Sequence, residues 1–472
     1  MSQYQYHPHN LHRLEQGAQS LLFHPPTLAL FQSDPAMERQ LQQLGQFNAG
    51  EWIQQDQLDK ELIDDLRALR ILTAKGEPVD SSDRVQQLLL DSGEFPLSTL
   101  ILNVNTGCNL SCTYCYKEDL EDAKNGLKMD VGTAFAAVDL LMRENPGDSP
   151  VNIVFFGGEP LTHLPLIKSV IDYAEREGDQ RSKPVNFSMT TNATMLTPSI
   201  MDYLDTHRVG LTISMDGPQA IHDKNRITST GNGTYAVVRR KVEQLLSRYR
   251  SRPVGARVTL TRGVTDVVGI HRHLKEELGF FEVGFAPVTA GDVANYNLPP
   301  EQLAQVFGEM RQLGERYVEQ AIAGGNIGFG NLHQLISNLH NGSSKALPCA
   351  AGLSLLAVDG NGELNLCHRF TGSALPTFGN VSAGVDKSAL RQLLSNALDK
   401  SDRGCSTCSI RNLCAGGCYH ESYTTDGDLF SPTWQYCDLL RDWTDFGIRA
   451  YHRILDQSPD YLEQHIIQGV NP

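Results

Sequence analysis

The sequence predicts an α/β fold built on a parallel sheet, and three observations carry that reading. Six apolar strand candidates recur from residue 99 onward, at 100–105, 151–156, 185–190, 209–214, 256–261 and 282–287. Stretches with apolar residues at helical spacing separate them, among them 131–144, 165–177 and 235–248. Short polar or glycine-rich motifs follow directly on several of the strands. Alternation of this kind gives parallel strands joined by right-handed crossovers, in an open doubly wound sheet or a barrel. In either arrangement ligands gather at the carboxyl ends of the strands.

The remaining elements flank this sheet. Before it, 11–14, 20–24 and 27–32 read as three short strands, followed by helical segments at 36–44 and 57–72. The second helix shows its apolar stripe in Leu58, Leu62, Leu66, Leu69 and Leu72. Strands followed by helices suggest a small winged-helix-like module, and 73–83 reads as a linker. After the sheet, 300–341 reads as bridging helix. The chain of 472 residues has room for about three domains. A net charge of −15 argues against nucleic acid or anionic membranes as partners. No apolar run of membrane-spanning length and no signal-peptide pattern opens the chain, so a cytoplasmic location is expected.

Ten cysteines are placed unevenly: Cys108, Cys112 and Cys115, then seven after residue 348, and none in the first hundred residues. A disulfide framework would spread them along a short secreted chain. Cys108-x3-Cys112-x2-Cys115 ends the first strand candidate, and three thiolates on one loop can hold three irons of a [4Fe–4S] cube. A structural zinc site would need a fourth donor, and no His or further Cys lies close by in sequence. The second group is Cys349-x12-Gly362-x4-Cys367, then Cys405-x2-Cys408-x5-Cys414-x3-Cys418, then Cys437. Two zinc knuckles are the plain alternative there, against which seven donors rather than eight count mildly. At the other strand ends stand Gly157-Gly158-Glu159 before Pro160, Thr191-Asn192, and Ser214 with Asp216. Arg226 follows in His222-Asp223-x2-Arg226. Glycines permit close backbone approach and a carboxylate can accept from an ammonium group.

Together these motifs resemble the radical S-adenosylmethionine enzymes, with Tyr114 as the aromatic residue before the last motif cysteine. The seven-cysteine pattern resembles the SPASM domain of peptide-modifying members. The resemblance implies a partial (β/α)6 TIM barrel over 96–300 and bridging helices over 301–345. A winged-helix-like module over 1–95 would precede them, and a SPASM domain over 346–472 would follow. It implies S-adenosylmethionine and three [4Fe–4S] clusters: one on Cys108, Cys112 and Cys115, one on Cys349, Cys367 and Cys418, one on Cys405, Cys408, Cys414 and Cys437. Tyr114, Gly157, Gly158, Glu159, Asn192, Ser214, Asp216 and Arg226 would surround the cofactor. In such enzymes one electron from the open-iron cluster cleaves the sulfonium, and the resulting deoxyadenosyl radical abstracts hydrogen.

Among peptide-modifying members the chain resembles the anaerobic sulfatase-maturing enzymes, whose base is an Asp where this chain has His368. It resembles more closely the maturases of quinohemoprotein amine dehydrogenase. The reasons are the Cys-Tyr-Lys-Glu-Asp run at 115–119, the Cys-His-Arg-Phe unit at 367–370 and the N-terminal module. That resemblance implies thioether bonds between Cys sulfur and an Asp or Glu methylene carbon in a small protein substrate, the dehydrogenase small subunit. An external one-electron reductant would be needed, and His368 is the candidate base. The N-terminal module is similar to leader-recognition elements, which capture peptides by strand addition.

Overall fold

The computed structural model describes residues 3–16, 19–77, 96–115, 126–289, 295–400, 403–432 and 434–467. Six strands come first: β1 (Gln3–Tyr6), β2 (His12–Gln16), β3 (Gln19–His24), β4 (Ala29–Gln32), β5 (Trp52–Gln54) and β6 (Leu72–Thr73). The antiparallel meander β2-β3-β4 is the three-strand unit expected from sequence. A second antiparallel sheet, in order β5-β1-β6, was not anticipated, because strands of two to four residues show too little alternation to be recognised. The helix expected over 57–72 runs only from Lys60 to Ala68. Arg70 takes a left-handed φ of 51°, which stops the helix, and Leu72 passes into β6. Leu58, Leu62, Leu66 and Leu72 nevertheless pack with Tyr4, Tyr6 and Ile53 in a core of their own. Of the expected linker, residues 78–83 lie outside the described residues.

The main sheet holds β7 (Thr99–Asn105), β8 (Val151–Gly157), β9 (Val185–Thr191), β10 (Gly210–Ser214), β11 (Val254–Leu260) and β12 (Glu282–Pro287). These strands lie side by side in chain order and every pairing among them is parallel. A doubly wound sheet reverses its order at a switch point, and no reversal occurs within these six strands. The free edge of β7 is taken by β13 (Leu355–Val358) in parallel, with β14 (Leu364–Asn365) antiparallel beyond it, making a sheet of eight. From Leu100 on, β7 is buried at every position, including Asn103 and Asn105, as expected of a strand covered on both faces. On the other strands alternate residues enter the core: Val151, Ile153 and Phe155 on β8, Leu211 and Ile213 on β10, Val254, Ala256, Val258 and Leu260 on β11. The intervening positions are less buried and face away from the helices.

Helices Val131–Glu144, Leu164–Arg181, Pro198–Thr206 and Tyr235–Arg248 cover the apolar face. Asp130 and Thr197 cap two of them by accepting backbone N–H groups. The bridging stretch is helical at Pro300–Ile322 and Gly330–His340, and helix Trp434–Gln457 packs beside both. No helix among the described residues is long and apolar enough to cross a membrane.

Candidate active site

The loop after β7 brings Cys108, Cys112 and Cys115 to the carboxyl end of the sheet and is tied down along its length. Ser111 N–H donates to the Ile227 carbonyl at 2.8 Å and Thr113 N–H to that of Asn225 at 3.0 Å. The Thr113 hydroxyl also donates to Asn225 Oδ1 at 2.8 Å. Cys108 is exposed and accepts Leu110 N–H at 3.4 Å; Cys112 and Cys115 are half-buried. Two glycines make room for this loop. A Cβ on Gly157 would stand 2.2 Å from the Asn105 carbonyl oxygen, and one on Gly158 would stand 2.1 Å from that of Gly107. The close approach foreseen for a ligand is therefore first an approach to the chain's own cysteine loop.

The carboxylates expected at the cofactor have partners inside the chain. Glu159 is buried and accepts from Leu161 N–H at 3.1 Å, the Thr191 hydroxyl at 2.7 Å and Asn192 N–H at 2.8 Å. Burial raises its pKa and these three donors oppose the rise. Asp216 accepts from the Tyr114 hydroxyl at 2.7 Å, Arg226 Nε at 2.9 Å and Thr259 N–H at 3.0 Å. Arg226 also lies over the Tyr114 ring, 5.4 Å from its centroid, and the Asp216 charge raises its pKa against a larger effect of burial. Both carboxylates thus shape the site, and neither points a free oxygen into it among the described residues. Asn192 stands nearest the thiols: its Nδ2 donates to Asn109 Oδ1 at 3.0 Å and lies 3.9 Å from Cys108 Sγ. Ser214 ends β10, half-buried. Thr113 and Asn225 were not singled out from sequence, since an ordinary Thr and Asn carry no motif. Of the 115–119 run, residues 116–119 lie outside the described residues.

The seven later cysteines separate into two neighbourhoods. Cys349, Cys367 and Cys418 are close enough that the thiolate charges of Cys418 and Cys349 raise the Cys367 pKa. Cys405, Cys408, Cys414 and Cys437 interact in the same way with one another. Burial dominates throughout, pushing Cys367 up to about 12 and, in the first loop, Cys112 up to about 11. Thiols held this high become ligands when a cation stabilises the thiolate. All ten are free of disulfides. The only three metal-type donors within 4.8 Å of one another among the described residues are Asp172, Glu175 and His207, so no three cysteine sulfurs come so close. Tetrahedral zinc would bring them to about 3.8 Å. His368, after Cys367, packs its ring 4.1 Å from that of Phe156 at the end of β8, which brings the second cysteine region to the strand ends. Asn103 Nδ2 on β7 donates to Thr371 Oγ1 at 2.6 Å and joins the same two regions.

Residues 102–268 match the Radical SAM superfamily and form a radical SAM domain, which implies a [4Fe–4S] cluster and S-adenosylmethionine. Over 373 residues the chain is 25% identical to the cysteine-type anaerobic sulfatase-maturating enzyme of Clostridium perfringens (strain 13 / Type A), covering 76% of this chain and 98% of the relative. A solved structure of anSMEcpe with bound AdoMet and a peptide superposes with a TM-score of 0.65 at 21% identity, over 76% of this chain and 99% of that one. Streptococcus suis SuiB bound to precursor peptide SuiA covers 92% of this chain and 99% of its own, with a TM-score of 0.50 at 13% identity. The two structural likenesses show a shared fold.

Proposed function

We propose that this chain is a radical S-adenosylmethionine enzyme that forms thioether bonds in a small protein, between Cys sulfur and the methylene carbon of Asp or Glu. The observation that carries this reading is the division of the ten thiols into sets of three, three and four, with His368 beside Phe156 where two of the sets approach the sheet. In this reading Cys108, Cys112 and Cys115 hold the cluster that serves the cofactor. Cys349, Cys367 and Cys418 hold a second with one corner left for another ligand, and Cys405, Cys408, Cys414 and Cys437 hold a third. When bound, the first cluster and S-adenosylmethionine supply a carbon radical able to take a hydrogen atom from an unactivated carbon. The chain orients and shields. The Tyr114–Asp216–Arg226 group and Asn225 fix the cysteine loop, Asn192 and Ser214 offer polar contacts at its rim, and His368 takes the thiol proton. A thioether forms when the thiol gives up that proton, the carbon gives up a hydrogen atom, and an external one-electron carrier accepts the remaining electron.

The six strands in chain order are read as a partial (β/α)6 barrel over 96–300, with 1–95 as a peptide-recognition module and 346–472 as the domain of the two further clusters. A second reading has a specific observation behind it. The likeness to a sulfatase-maturating enzyme over 98% of that enzyme's length favours oxidation of a Cys or Ser side chain. Mass spectrometry of a Cys- and Glu-containing peptide, treated with anaerobically reconstituted enzyme and reductant, separates the two. Loss of two hydrogen atoms together with resistance to thiol alkylation is expected. An aldehyde in place of the thiol would transfer the assignment to the oxidation.

A further inference from the structure

Arg257 is an unusual residue to find in the middle of a parallel strand. Its neighbours Ala256 and Val258 enter the core, and Arg257 faces the opposite side of β11, away from the helices. It pairs in register with Ser214 on β10 and with Gly284 on β12, which places it level with the last residue of β10. Gly284 leaves space for it, since a Cβ there would stand 3.3 Å from Arg257 Nη1. Among the described residues no acceptor lies within hydrogen-bond distance of its guanidinium and no carboxylate within 4 Å. Glu282 acts on it only from further away. The side chain is exposed on the helix-free face of the sheet, and desolvation by its surroundings lowers its pKa.

A second guanidinium, that of Arg369, is fastened just beyond the end of β12, and its charge lowers the Arg257 pKa. Arg369 is held in place by Thr289, with Nη2 donating to its carbonyl at 3.1 Å and to its hydroxyl at 2.9 Å. It directly follows His368, which packs on Phe156 from the same helix-free face of the sheet. Two like charges on one side of a sheet repel, and an anion between them relieves the repulsion. Guanidinium groups present forked donors whose geometry matches a carboxylate.

We propose that Arg257, with Arg369 opposite, binds the carboxylate of the acidic substrate side chain and so selects which methylene carbon is presented for reaction. This rests on the thioether reading and names the contact that recognises its acidic residue. The methionine carboxylate of the cofactor has the same chemistry. The substrate is favoured because Arg369 comes from the region of His368 and is fastened to Thr289, not to the cysteine loop.

The test uses anaerobically reconstituted enzyme and two synthetic peptides, each with one Cys, one carrying Glu and its twin Gln. Peptide Kd, KM, kcat, product mass and S-adenosylmethionine affinity are measured for the wild type, Arg257→Gln and Arg257→Lys. The wild type is expected to prefer the Glu peptide at least tenfold, and Arg257→Gln to weaken that peptide by roughly 10- to 100-fold. The Gln peptide and the cofactor should bind as before. Discrimination that survives in Arg257→Gln overturns the proposal. So does a wild type that treats the twins alike, or a loss confined to cofactor affinity. Should Arg257→Gln fail to retain iron, Arg257→Lys decides: a weakened Glu peptide alone supports the site, and unchanged binding overturns it. If the Glu preference depends on Arg257 but no product lighter by two hydrogens forms, the carboxylate site stands and the thioether reading falls.

Discussion

The cysteine loop after β7 and the cysteine-bearing segments beyond residue 348 present the same donor atom on differently built supports. The first is fastened to distant parts of the fold: to Asn225 and Ile227 by backbone and side chain, to Asp216 through Tyr114, and against Gly157 and Gly158 by close packing. The second region carries most of its thiols beside short segments, the turn at His368–Phe370 and the four-residue helix Arg411–Cys414, while Cys437 sits on the long helix Trp434–Gln457. Its cysteine amides bond locally, Cys408 N–H to Cys405 and Cys414 N–H to Ile410. On the proposed reading, a cluster would be accommodated by a finished scaffold in the first place and would act as a cross-link in the second, where binding and folding would be coupled.

The widest gap between the two regions should appear on removing metal or ligands. Alanine at Cys108, Cys112 and Cys115 should reduce deoxyadenosine formation to background while leaving the unfolding midpoint of the sheet nearly unchanged. Chelating the iron should raise amide exchange across residues 405–437 by on the order of 10- to 100-fold, with the main strands still protected. Equal exchange in both regions would erase the distinction. Next in size is Asp216→Asn, which leaves the buried Arg226 without its counter-charge and should cost about 3–5 kcal/mol in denaturant unfolding. Gly158→Ala should cost about 1–3 kcal/mol and lower the iron held by the first loop, because the added methyl displaces Gly107.

The smallest effect is a pH dependence. His222 is buried between Asp216 N–H and the Thr234 hydroxyl, and burial lowers its pKa to about 4 from 6.5. The unfolded chain takes up a proton below about pH 6.5 that the folded chain refuses until about pH 4. Stability is therefore full above that window and falls as pH drops, by about 2 kcal/mol at pH 5. Urea midpoints at pH 7 and 5 should show this loss, and His222→Gln should flatten it.

Much of this was legible in the chain. Each of the six strand candidates fell within two residues of a strand, because buried parallel strands are short apolar runs bounded by polar turns. Cysteine spacing pointed to two groups, of three and seven, and only the family resemblance divided the seven into two sets, because Cys349, Cys367 and Cys418 lie far apart along the chain. What periodicity could not show was β13 beside β7, a pairing across some 250 residues with no local signature. Nor could it show β1, β5 and β6, which are too short to alternate. The roles of Glu159 and Asp216 were likewise hidden, since an acidic residue in a motif looks the same whether its oxygens meet a ligand or the N–H groups of Asn192 and Thr259.

By itself, then, the sequence determined the α/β alternation, the places where thiols would cluster and the polar residues at the strand ends, all set by local pattern. Tertiary structure alone decided which carboxylates were consumed by the scaffold, which glycines the cysteine loop required, and that Arg257 stands level with Ser214 while Arg369 is fastened to Thr289. Those are relations between side chains far apart in the chain, and packing brings them together where no periodicity records it.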